Sequence, residues 1–216
     1  MVDADPVVYD PATKYIYVVN GGEKVNKPYS LVSVIDSTSG KHLADIKVPG
    51  IELEAMAIEA SGPRLFVNNR DKNQIDILDR EKRTLIDSWP ITKAKGNTSM
   101  ALDESTHRLF SAARSGHIVV LNSDTGEELK TLPIGQGVDD MVFDPTSKRI
   151  YVSCGGDGGT VEIYKELGPD NYEFLGKVPS APAASTAHLV PELGRFFVLS
   201  PHQNSNPARV LEYQVQ

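Results

Sequence analysis

The chain has 216 residues, a net charge of −7, 40% hydrophobic and 24% charged residues, which is enough apolar side chain for a full core and unlike a disordered chain. The acidic balance and the lack of a Lys/Arg cluster argue against a nucleic-acid partner, and no apolar run nears the roughly 20 residues of a membrane-spanning helix. The single cysteine, Cys154, excludes an intramolecular disulfide, and "MVDADPVVYD" shows neither the basic nor the apolar region of a signal peptide.

The first unit, about residues 6–49, opens with "PVVYDPAT" and "KYIYVVN" (14–20), then turns through "NGGEKVNKP" into "SLVSVIDSTSGKHLADIKVPG". The second, about 55–91, repeats the plan with "MAIEASG", "PRLFVNN" (63–69) and the turn "NNRDKN". The third, about 99–134, has "MALDEST", "HRLFSAA" (107–113) and "AARSG". The fourth, about 140–179, reads as strands "DMVFDP", "RIYVSC", "TVEIYKE" and "YEFLGKVP", parted by "TSK", "GGDGG" and "LGPDN". The fifth, about 186–215, has "STAHLVPE", "GRFFVLS" (194–200) and "RVLEYQV" (209–215).

Two positions bind these units into one repeat. The aromatics Tyr17, Phe66, Phe110, Tyr151 and Phe197 lie 49, 44, 41 and 46 residues apart. Seven residues before each stands an anchor: Asp10, Glu59, Asp103, Asp144 and Val190. A fixed offset inside a variable period, with Val/Ile/Tyr/Phe-rich runs and no 3.6-residue apolar stripe, predicts an all-β fold. Specifically, it predicts a β-propeller of four-stranded antiparallel blades, in five units of which the last lacks its outer strand. The five aromatics, and the residues just before the anchors (Tyr9, Ile58, Leu102, Phe143 and Leu189), are expected between blades. The glycines of "CGGDGG" fall between second and third strands, where they supply positive φ for a hairpin. No Lys-Ser/Thr pair or helix follows them, so they are not a phosphate-binding loop.

"YIYVVNGG…SLVSVIDSTSGKHLADIKVPG" and "RIYVSCGGDGGTVEIY" resemble the YVTN family of β-propeller repeats. Beside them, "DADPVVYDPATKYIYV", "SGPRLFVNNRD", "MALDESTHRLF" and "VPELGRFFV" are similar to exported, uncharacterised bacterial propellers of seven blades. The resemblance covers the whole chain and implies a bacterial protein, periplasmic or secreted. Against that pattern the chain looks like five of the blades, so it is expected to be a natural or engineered piece of a larger ring, or a self-closed five-bladed ring. Open blade edges then favour self-association.

Innermost strands of a propeller line a central channel, and the residues leading into them form one mouth. At the matching position, five before each anchor, stand Asp5, Glu54, Thr98, Asp139 and Ser185; Asp140 follows Asp139, Glu52 precedes Glu54, and His188 lies on the innermost strand of unit five. These residues form the candidate ligand-binding set. Asp5, Glu54 and Asp139 are the candidate ligands of a divalent cation such as calcium, since hard cations favour carboxylate oxygen. The alternative is that the carboxylates cap turns in a wide, solvated mouth. Ser185 and His188, three apart on a strand, do not make a catalytic triad. His42, His107, His117 and His202 show no metal spacing. Cys154 reads as a packed thiol, Trp89 as packing, and "NTS" (97–99) as a glycosylation sequon that bacteria do not use.

Three functional classes remain open. The chain fits a non-catalytic binding or scaffold propeller for an unknown small molecule or protein. It could instead be a lactonase- or lyase-like propeller enzyme with a cation at the channel mouth. An electron-transfer accessory is the third class, for which the haem-attachment motif CxxCH is missing.

Overall fold

The computed structural model describes residues 1–204 and 206–215. Its described residues form five meandering antiparallel sheets. Sheet one comprises β1 (Val7–Asp10), β2 (Tyr15–Gly21), β3 (Tyr29–Asp36) and β4 (His42–Pro49). Sheet two comprises β5 (Leu53–Ile58), β6 (Arg64–Asn69), β7 (Gln74–Asp79) and β8 (Thr84–Pro90). Sheet three comprises β9 (Asn97–Asp103), β10 (Arg108–Ala113), β11 (His117–Asn122) and β12 (Glu128–Pro133). Sheet four comprises β13 (Val138–Asp144), β14 (Arg149–Cys154), β15 (Thr160–Gly168) and β16 (Asn171–Pro179). Sheet five has three strands, β17 (Thr186–Val190), β18 (Arg195–Ser200) and β19 (Arg209–Gln214). This is a β-propeller fold of five blade sheets. The helical residues among those described are two short 3₁₀ turns, Gly22–Val25 and Pro191–Leu193. No helix among the described residues is long and apolar enough to cross a membrane.

The seven-residue offset is a hairpin register. Tyr17 pairs with Val8, Phe66 with Ala57, Tyr151 with Val142 and Phe197 with His188, each partner lying two residues before its anchor. The anchors set that register through their carboxylates. Asp10 accepts from Ala12 N at 3.0 Å and Thr13 Oγ1 at 2.8 Å. Asp103 accepts from Ser105 N at 3.0 Å and Thr106 Oγ1 at 2.9 Å, and Asp144 from Thr146 N at 2.9 Å and Ser147 Oγ at 2.6 Å. Each turn then ends on a left-handed residue, Lys14, His107 or Lys148, that reverses the chain. The anchors Asp10, Asp103 and Asp144 are buried, so these hydrogen bonds replace the lost water.

The chain's contacts gather into two compact units, Met1–Asn97 and Thr98–Gln216. Unit 1 packs sheet one on sheet two through Tyr17, Val32, Val34, Leu65, Val67 and Leu78. Unit 2 has one core around Phe110, Ile118, Val152 and Tyr164, and a second around Tyr151, Val161, Phe196 and Val198. The loop 155–159 joins β14 to β15 as a hairpin, with Cys154 opposite Thr160. A Cβ on Gly159 (φ +86°) would stand 1.9 Å from Ala181 O, so close approach as well as φ demands glycine there. The turn "NGGEKVNKP" differs: instead of a plain hairpin it contains the first 3₁₀ turn.

Four of the five aromatic positions are buried, but Phe197 is half-buried, and Phe196 fills the core instead. Sheet five packs on sheet four by the face that bears Phe196 and Val198, which leaves the Phe197 face outside that core. Tyr9, expected between blades, is 50% exposed, because sheet one packs through its other face, with Val8, against sheet two.

Phe110 is fully buried, edge-on to Tyr172 with ring centroids 5.8 Å apart and tilted against Phe143 at 5.7 Å. Phe110→Ala should therefore destabilise the protein by about 3–5 kcal/mol in urea unfolding. A loss below about 1 kcal/mol would show that the site collapses around the missing ring.

Candidate functional site

In unit 1, Asp5 and Glu54 line one polar cavity of about 170 Å³, together with Asp3, Asn20, Ser30 and Glu52. Asp5 is held at its rim by a hydrogen bond from its own N–H to Val19 O at 3.1 Å. Glu54 sits on β5, anchored by the buried Leu53 beside it. The loop that carries Glu52 is fixed by Asp71, whose Oδ1 accepts from Ile51 N and Glu52 N, both at 3.1 Å. Arg70 reaches Glu54 Oε1 at 3.2 Å and lies 3.8 Å from Glu52 Oε2. The cavity wall is thus acidic, and a guanidinium already neutralises part of it.

In unit 2 Thr98 and Asp140 join neighbouring innermost strands. Thr98, buried on β9, donates from Oγ1 to Val138 O at 3.2 Å. Asp140 donates its N–H to Ser185 O at 3.0 Å and accepts from Ala187 N at 2.8 Å. Asp139 pairs with Arg114 at 2.9 Å. His188 is exposed on β17, opposite Phe197. Thr98 and Asp140 therefore bind strand to strand, while Asp139 is half-buried and ion-paired and His188 is exposed. Among the described residues no three His, Cys, Asp or Glu side chains are grouped so as to hold a metal ion.

Sequence reasoning missed the two arginines. Arg70 and Arg114 each stand four residues after their unit's core aromatic, Phe66 or Phe110, and each engages a carboxylate of the strand-leading set. The repeat register was enough to find them, because the slot is the same in both units. Sequence reasoning also missed an apolar cavity of about 310 Å³ in unit 2, lined by Tyr151, Ile163, Leu175, Val178 and Tyr213.

Cys154 is fully buried, as a packed thiol requires. Burial, with the nearby Glu162 adding to it, pushes its thiol up to about 12. A thiol so protonated and covered is a poor nucleophile. Disulfide-exchange reagents should thus label native protein at a small fraction of the rate seen in denaturant. Equal rates in the two would show that β14 opens readily.

No family model and no curated protein matches this sequence. Solved structures do match its fold. Hydrazine synthase from Kuenenia stuttgartiensis superposes with a TM-score of 0.78 at 12% identity, covering 97% of this chain and 62% of that one. A functionally unknown protein from Desulfotomaculum acetoxidans superposes with a TM-score of 0.74 at 12% identity, covering 99% of this chain and 76% of that one. The chain thus spans less than two thirds of the hydrazine synthase chain, and likenesses this remote in sequence show the propeller fold alone.

Proposed function

We propose that the chain is a binding propeller of the YVTN repeat kind, and that the residues leading into its innermost strands take up a cationic ligand. The observation that carries this reading is the shared cavity of unit 1. Asp5 and Glu54 stand at the same repeat position in two successive units, and both line it. Its carboxylates suit a hard divalent cation, of which calcium is the natural probe, or a ligand's ammonium group. The reading asks for no chemistry from the site, only electrostatic capture.

The test is a melting curve with calcium and with a chelator. At a hundredfold excess over its dissociation constant, a ligand bound only to the native state stabilises it by about 2.7 kcal/mol. Asp5→Asn, at an exposed position, should fold normally and lose most of that gain. Coincident melting curves with calcium and chelator, together with no heat on calorimetric titration of calcium, would refute cation binding.

A further inference from the structure

One repeat position carries opposite charges in two copies. Arg80 follows β7 and Glu166 lies on β15, and the two are equivalent: Phe66 pairs with Ile77 as Tyr151 pairs with Ile163. The backbone N–H of each also reaches back to the same turn, Arg80 to Pro63 O at 2.9 Å and Glu166 to Lys148 O at 2.8 Å. In unit 1 this position faces the anchor of the preceding sheet as an ion pair, Arg80 with Asp10, both largely buried. In unit 2 it faces the anchor Asp103 with another carboxyl.

The hydrogen-bond inventory there is one proton short. Asp103 has donors in plenty: Ser105 N, Ser105 Oγ at 2.7 Å and Lys148 Nζ at 3.0 Å. Thr106 Oγ1 lies 2.9 Å from Asp103 Oδ2 and 3.1 Å from Glu166 Oε1, yet a hydroxyl carries one hydrogen. Glu166 Oε2 is buried with no donor, and Glu166 is 4% exposed. Two carboxylates this close, one of them without a donor of its own, cannot both stay ionised at low cost.

We propose that Asp103 and Glu166 form a proton-operated latch between the third and fourth sheets, in which Glu166 carries the proton and hydrogen-bonds the Asp103 carboxylate. Ionisation of Glu166 sets two buried anions against one ammonium, and the latch opens. Burial first, and then Asp103, push Glu166 up to about 7. Burial also raises Asp103, but its hydrogen bonds from Ser105, Glu166, Lys148 and Thr106 outweigh that and bring it to about 2. Of the charged groups around the pair, Lys148 touches Asp103, while Arg108, from β10, is engaged by Asp170 at 2.8 Å. The Tyr172 hydroxyl, from β16, is buried and held protonated, chiefly by burial. Arg149, on β14, pairs in register with Lys165. Because the folded-state value of Glu166 lies above its ordinary 4.5, its stabilisation is whole below that ordinary value and is lost as pH rises through about 7.

The test compares thermal melting of the full chain and of Glu166→Gln between about pH 4 and 8.5. The amide keeps a donor for Asp103 without a titrating proton. The wild type should lose several degrees relative to the variant as pH rises from 4.5 to about 7, and the two should run parallel above about pH 8. Parallel curves over the whole range would overturn the latch. Carboxyl NMR of wild-type protein labelled at glutamate supplies a readout that needs no variant. One glutamate titrating near neutrality is expected; all titrating near their ordinary value would overturn the proposal as well.

Discussion

The fold depends on a carboxylate buried at the end of an innermost strand. An ionised carboxyl leaves water only where donors replace the water it loses, and the cost otherwise runs to several kcal/mol. The turn that follows the strand supplies those donors from its own backbone and hydroxyls, as Ala12 and Thr13 do for Asp10 and Thr146 and Ser147 do for Asp144. Satisfying the anion therefore fixes the turn, and the turn fixes which residue of the second strand faces which residue of the first. Register in turn decides which face of each sheet is apolar, because a slip by one residue would swap the faces. The core aromatics are placed by this chain of causes more than by their own strand propensity.

The second unit shows the same constraint met with different atoms. Its anchor is Glu59, one methylene longer than aspartate, and it binds Arg64 across its own turn. The longer side chain needs space that aspartate does not, and the turn supplies it at Gly62, where a Cβ would stand 2.4 Å from Glu59 Oε2. The sequence change from "DPAT" to "EASG" is thus one compensated substitution. The fifth unit has Val190 at this position and so no anion to satisfy; a 3₁₀ turn at Pro191–Leu193 and Gly194 in the left-handed region close the hairpin instead.

Blade number, strand order and the buried aromatics were legible from sequence because they are enforced locally, by turns of a few residues and by alternation along strands. Tyr9 and Phe197 escaped because sequence periodicity reports which face of a strand a residue occupies, not whether another sheet covers that face. The candidate site was legible only in part, for a related reason. Register places Asp5 and Glu54 at equivalent points, and they do line one cavity. Yet the same register places Thr98, whose hydroxyl is taken up in a strand-to-strand hydrogen bond, and Asp139, which pairs with Arg114. Equivalent backbone positions do not imply equivalent partners.

That difference makes the repeat informative about chemistry as well as shape. Where copies agree, as at the carboxylate anchors of the first four units, the residue answers a need of the fold that those blades share. Where copies disagree in charge at one position, the fold cannot be what selects the residue, since each alternative is tolerated by an equivalent backbone. Arg70 and Arg114 share a slot that is Gly21 in the first unit and Gly155 in the fourth, so no blade needs a cation there to fold. The two arginines are held instead by the carboxylates they meet, Glu54 in one case and Asp139 in the other. Their positive charge belongs to the surface those carboxylates form. The slot that holds Arg80 in one copy and Glu166 in another obeys the same logic inside the protein, where burial makes the choice of charge far more consequential than it is at the surface.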